Sequence, residues 1–267
     1  MQIDWGRTAA DYTSHRADLP DSFFDRLAGY GIVSPASDDT SQTPRPALDL
    51  GTGTASLARG LARRGWRVTG IDVSADMLDA ARRLTAAEDL AIDYLAAPAE
   101  ATGLPDHRFD LVIAGTCWHW FDRPKAAGEA HRVLTAGGWL VISAMDWWTG
   151  SDDNDIINAT IELIAAHNPG WASSGASGLR FAWADELRQA GFAVIDRFRY
   201  RAVVPYSRAA WRGRIRASAG IGASLTPEGV AAFDRAHARL LQERFPEEPL
   251  QVPHRISAIV ARRIEAA

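Results

Sequence analysis

Between residues 46 and 144 the chain alternates short apolar runs with helix-patterned stretches. The runs read "ALDLG", "WRVTGIDV", "LAIDYLA", "FDLVIAG" and "GGWLVISA". Buried runs of this length, separated by helical crossovers, pair as a parallel sheet covered on both faces. Ser74 is placed to cap the helix after the second run, with Asp76 in its first turn, and Asp122 with Pro124 opens the helix after the fourth. One helix, around Asp21–Tyr30, precedes the first run. The linker between them, "SPASDDTSQTPRP", is too rich in Pro, Ser, Thr and Asp to bury much.

The rhythm breaks after residue 146. Residues 147–178 hold one helix and a Gly/Ser-rich loop, and "WADELRQAGF" reads as a short helix leading into the strand "AVIDRFRYRAVV". Residues 206–249 are mostly helical, and "RISAIVARR" closes as a strand. Both helical insertions follow carboxyl ends of strands, the edge at which open parallel sheets take their ligands. The expectation is one domain, residues 1–267. Its core spans about 45–146, 179–205 and 252–265, and its helical lid about 1–30, 147–178 and 206–251.

Composition narrows the function classes. A chain of 267 residues with 47% hydrophobic content can bury a full core. A net charge of −4, with no Lys/Arg cluster, supplies no field for nucleic acid. No apolar run approaches the roughly 20 residues of a membrane span, and the opening "MQIDWGRTAADY" is polar and unlike a signal peptide. The single cysteine, Cys117, excludes an internal disulfide and suits a reducing compartment. A soluble cytoplasmic protein acting on a small molecule, without nucleic-acid, membrane or metal partners, is expected; the oligomeric state is left open.

The stretch "LDLGTGTASLA", Leu48 to Ala58, carries the strongest chemical signal. Glycines at 51 and 53 allow a tight strand-to-helix turn and a close approach to main-chain N–H groups at the helix start. Asp72, about 20 residues on at the end of the second run, stands where an acid accepts hydrogen bonds from both ribose hydroxyls. This much fits a nicotinamide dinucleotide or another adenosine-bearing cofactor. Ser56 stands where the third dinucleotide glycine would fall, so nothing in the turn favours a pyrophosphate.

Three segments together, "ALDLGTGTASLARGLARRGWRVTGIDVSADMLDAAR", "APAEATGLPDHRFDLVIAGTCWHWFD" and "EAHRVLTAGGWLVIS", resemble the class I S-adenosylmethionine-dependent methyltransferases. The likeness is closest to a small-molecule branch with a His-Trp-Phe signature after the fourth strand, similar to trans-aconitate methyltransferases. It is dense over residues 45–145 and returns at "VPHRISAIVARR". The resemblance implies an α/β fold: a doubly wound, Rossmann-like, seven-stranded, mostly parallel sheet whose last strand is antiparallel. It implies S-adenosyl-L-methionine as cofactor, with Asp49 anchoring the methionine amine and Gly51, Thr52 and Gly53 cradling the methionine portion. Asp72 would hold the ribose, Val73 and Met77 would lie against the adenine, and Ala99 and Glu100 would meet its edge. Gly115 and Thr116 would sit beside the amine, and Tyr12 and Arg16, on one helix face, would hold the carboxylate. Ala55 replaces the family's third loop glycine, Pro98 an aspartate before the Glu, and Thr116 a frequent glutamine.

A sulfonium methyl is already activated, so its transfer is mostly alignment in a dry site. A hydroxyl acceptor needs a base and a carboxylate needs none. His119, just past the fourth run, is the best-placed titratable group for catalysis; a structural, pocket-shaping histidine is the alternative. His131 reads as packing or surface. Trp118, Trp120, Trp147 and Trp148 are candidates for an aromatic acceptor wall, while Trp171 and Trp211 equally suit lid packing. The run "RAAWRGRIR", with Arg208, Arg212, Arg214 and Arg216, reads as a solvated face that keeps an acidic substrate in play. Transfer to oxygen is expected. The alternatives are N- or C-methylation of a small natural product, a nicotinamide-dependent reductase, and a cofactor-binding protein without turnover.

Overall fold

The computed structural model describes residues 15, 17–35, 43–149, 155–171, 179–218 and 220–265. Strands β1 (Pro46–Leu50), β2 (Arg67–Asp72), β3 (Ile92–Ala96), β4 (Phe109–Gly115), β5 (Leu134–Trp147), β6 (Phe192–Tyr206) and β7 (Leu250–Arg263) form one sheet in the order β3-β2-β1-β4-β5-β7-β6. The pairs β1–β2, β1–β4, β2–β3 and β4–β5 are parallel. β7 runs against its neighbours. The start of β5 meets the end of β7 where Arg262 donates to the Gly137 carbonyl at 2.9 Å. At the other end, the main chain of Trp148 donates to Pro253 at 3.1 Å. β1 and β4 are buried almost throughout, as expected of central strands covered on both faces.

The α-helices are α1 (Asp21–Gly29), α2 (Ser56–Ala62), α3 (Ala75–Ala87), α4 (Arg123–Val133), α5 (Asp155–His167), α6 (Trp183–Gln189), α7 (Arg208–Arg216) and α8 (Pro227–Arg244). Ser74 caps α3, accepting from the Met77 N–H at 3.3 Å. Asp122 precedes α4 without a side-chain cap bond and pairs instead with Lys125 at 2.7 Å.

The chain divides into two compact units. The sheet unit holds Asp18–Met145, Ser177–Tyr200 and Ile256–Ala267; the helical unit holds Met1–Ala17, Asp146–Ala176 and Arg201–Arg255. Residues 18–30 thus fall in the sheet unit, where the sequence grouped them with the insertions. The cause is α1, which packs on β6: Phe23 lies 6.4 Å from Phe198, and the Arg26 guanidinium covers the Phe198 and Tyr200 rings at 5.2 and 4.9 Å. The sheet unit's core joins Leu48, Leu50, Ile71, Val112, Ile142 and Ile259. The helical unit has its own centre, the fully buried Trp211 of α7, whose indole N–H donates to Thr160 of α5 at 3.3 Å.

Candidate active site

Strand order reverses between β1 and β4, since the chain leaves β1 for β2 and returns on β1's other side to form β4. In open sheets the crevice beyond such a reversal receives the ligand. Three strand ends are tied together there. Thr52 N–H donates to Ile71 at 2.8 Å, Gly53 N–H to the Asp72 carboxylate at 2.9 Å, and the Cys117 thiol to Leu50 at 3.1 Å.

The two loop glycines do different work. Gly51 has φ +63°, and a Cβ there would lie 3.0 Å from both Cys117 Sγ and Phe121 Cζ, so it serves packing beneath the turn. Gly53 has φ +53° with nothing within 4 Å of its would-be Cβ. Its backbone borders open space, as a cradle for a ligand must. Asp72 spans the turn and the next helix, its second oxygen accepting from Ser74 N–H at 2.9 Å. Val73 beside it is 76% exposed, an apolar side chain left standing in solvent next to the acid. Met77 lies one turn on, half-buried.

Asp49 is buried beneath the loop, where the Thr52 hydroxyl donates to it at 2.7 Å. Burial pushes its pKa up to about 7 against the bonds from Thr52 and the Ala58 backbone, which favour the anion. Ala99 is buried, and Glu100 accepts from Asp122 N–H at 2.8 Å. That segment is pinned from α4: Glu129 accepts from the Thr102 N–H and hydroxyl at 2.7 and 2.5 Å. Gly115 lets α2 approach, for a Cβ there would lie 2.4 Å from Leu57 Cδ1.

Thr116 and Ala55 hold left-handed backbone, φ +59° and +64°. Neither residue favours that region, and for a β-branched threonine it is an outlier. The strain is locked in place at Thr116, whose N–H donates to Ser143 at 2.8 Å and whose hydroxyl accepts from Met145 N–H at 3.3 Å. His119 follows in the 3-10 turn Trp118–Trp120, half-buried, its ring 4.8 Å from Trp120.

The expected tryptophan wall divides. Trp118 is 2% exposed and belongs to the core, edge-on to Phe121, while Trp120 is 63% exposed. Trp147 and Trp148 lie in the helical unit, as does Trp171. Tyr12 and Arg16 lie outside the described residues. His131 packs edge-on against Phe192 at 5.4 Å, a packing role. Cys117, Phe121 and Glu129, which hold the loops in shape, carried no sequence signal, since each acts through a contact distant along the chain. Among the described residues no group of side chains could hold a metal ion, and no helix is long and apolar enough to cross a membrane.

The strand order and the parallel pairing define a doubly wound, Rossmann-like fold. Residues 48–142 match the family described as "Methyltransferase domain". Demethylmenaquinone methyltransferase of Thermus thermophilus is 43% identical over 104 residues, covering 38% of this chain and 47% of that one. Malonyl-(acyl-carrier protein) O-methyltransferase of Serratia marcescens is 31% identical over 169 residues, 60% of this chain and 61% of that one. The chain therefore spans about half to three-fifths of the length of these relatives. Phosphoethanolamine N-methyltransferase 2 of Haemonchus contortus, solved with phosphomonomethylethanolamine and S-adenosylhomocysteine, shares the fold at a TM-score of 0.53. That match has 19% identity and covers 97% of this chain and 57% of that one. Residues 48–142 are thus similar to a methyltransferase domain, and the structure has the fold of that solved methyltransferase.

Proposed function

We propose that the protein transfers a methyl group from S-adenosyl-L-methionine to an oxygen of a small molecule, with His119 as general base or orienter of the acceptor. The observation that carries the cofactor reading is the open backbone at Gly53, tied through its N–H to Asp72. A cradle beside a carboxylate whose two oxygens are held by the Gly53 and Ser74 N–H groups, each with a lone pair left to accept, fits an adenosine ribose. In this reading Asp72 accepts from the ribose hydroxyls, Val73 and Met77 flank the adenine, and Ala99 and Glu100 meet its edge. Asp49, Gly51, Thr52, Gly53, Gly115 and Thr116 surround the methionine end, with Tyr12 and Arg16 on its carboxylate. The cofactor, when bound, supplies an electrophilic methyl on a sulfonium.

The chain's own task is then to orient the acceptor and take its proton. His119 starts three residues beyond Thr116, far enough from the β4 end to address an acceptor rather than the cofactor. The name of the Serratia marcescens relative, an O-methyltransferase, favours oxygen. The acidic balance and lone cysteine favour a small molecule in a reducing, cytoplasmic setting.

His119→Ala tests the role directly. With His119 as base, the chemical step falls by ~10²–10⁴, cofactor affinity stays intact, and the rate of the parent enzyme rises through a group near pH 6.5. With a carboxylate acceptor, the variant weakens acceptor binding and shows no such pH limb. A fully active His119→Ala enzyme with an unaltered pH profile removes His119 from the mechanism.

A further inference from the structure

The arginines of α7 do not form one solvated face. Arg208, Arg212 and Arg216, spaced i, i+4 and i+8, form a stripe on which each cation finds a carboxylate. Arg208 pairs with Glu248 at 3.2 Å, Arg216 with Asp234 at 2.8 Å, and Arg212 with Asp234 as well. Arg214 lies off that stripe, three residues after Trp211 and one before Ile215, both fully buried. It faces the aromatic interior of the helical unit. Its guanidinium lies 5.8 Å from the centre of the Trp147 ring, and that ring packs edge-on to Trp211 at 5.8 Å. Tyr206 and His254 continue the wall, with Tyr206 5.3 Å from Trp211 and stacked on His254 at 6.0 Å.

Among the described residues no carboxylate pairs with Arg214. Burial lowers its pKa, and only the Tyr206 phenol opposes that shift. The adjacent Trp147 indole N–H is also buried without an acceptor. The Trp147 donor is costly to leave unmatched inside an aromatic cluster, and the Arg214 cation beside it has no counter-charge among the described residues. Yet Arg214 is only half-buried, so a small molecule can still reach it. A planar oxyanion meets both needs, because the guanidinium fork pairs with a carboxylate through two parallel bonds. An aromatic or apolar body beyond the carboxylate suits the surrounding rings.

We infer that Arg214 is the anchor for the carboxylate of a small organic acid with an aromatic or apolar body, bound within the helical unit. The inference concerns the helical unit alone and stands apart from the methyltransferase reading.

The test uses 4-hydroxybenzoate and its neutral isostere 4-hydroxybenzamide as probes, titrated by ligand-observed NMR. The full chain is used with and without S-adenosylhomocysteine, as wild type, Arg214→Lys and Arg214→Met. The expected result is at least tenfold tighter binding of the acid than the amide to wild type. That preference is lost in Arg214→Met and partly kept in Arg214→Lys. The melting temperature of unliganded Arg214→Met should be unchanged or higher, because an unmatched buried charge has been removed. A wild type that binds neither probe, or binds both equally, overturns the inference. So does a preference that survives in Arg214→Met, or a marked drop in that variant's melting temperature, which would make Arg214 structural. Weakened S-adenosylhomocysteine binding in Arg214→Met also overturns it, by assigning the arginine to the cofactor's own carboxylate. Failure of the wild type to bind S-adenosylhomocysteine strikes the methyltransferase reading instead, and the acid preference without it is then read on its own.

Discussion

In the proposed site, Asp49 would join folding to binding. Its carboxyl titrates at about 7 in the fold against 3.8 ordinarily, so the folded state holds that proton more tightly than the unfolded chain. Its contribution favours the fold at low pH and is lost as pH climbs from 3.8 through 7. A bound ammonium group acts in the opposite sense, because it stabilises the anion. Cofactor affinity should therefore rise with pH up to about 7, with proton release below it, and level off above. Calorimetry of S-adenosylhomocysteine across that range, repeated in Asp49→Asn, checks this: the variant should bind more weakly and with a flat profile. A flat profile in the parent protein separates Asp49 from the amine. At this scale the sequence was partly legible. The types at 49, 51, 53 and 72 were recognisable, but not that Gly51 is demanded by Cys117 and Phe121 rather than by a ligand. The left-handed backbone at Ala55 and Thr116 was invisible, because neither residue type prefers it.

Elements hold the site by contacts that no local pattern encodes. α4 secures the Glu100 segment through Glu129, which the Arg132 guanidinium and the Thr102 bonds hold down at a pKa of about 2. A carboxyl depressed from 4.5 to about 2 stabilises the fold above pH 4.5, and that contribution is lost as pH falls from 4.5 through 2. Its side chain is 9% exposed, so solvent weakens the pairing little. Glu129→Gln should cost about 1–3 kcal/mol in urea unfolding at pH 7, with a gap that narrows in acid. An equal gap at pH 7 and at pH 3 would contradict the assignment. Element identities were the most legible part of the chain, since each strand and helix expected over 46–144 is present. Boundaries were less so. β5 begins at Leu134, ahead of the Gly-Gly pair, because Leu134 pairs with Phe109 across an irregular register. No apolar periodicity marks so short an extension.

For the molecule as a whole, alternation alone required a parallel sheet, and the reversal between β1 and β4 places its crevice. The direction of β7 came only through resemblance, because an apolar run reads the same either way. The grouping of α1 with the sheet depends on Phe23 and Arg26 meeting β6 residues far along the chain, which spacing cannot announce. The central claim is that the crevice at Gly53 and Asp72 holds S-adenosylmethionine, and calorimetry on the purified protein and its Asp72→Ala variant tests it most directly. The parent should bind the cofactor, and NADPH should not compete. Asp72→Ala should lose about 2–4 kcal/mol, the worth of two charge-assisted bonds to the ribose, or roughly 30- to 1,000-fold in affinity. Equal cofactor affinity in parent and variant, or binding of NADPH in its place, would contradict the account.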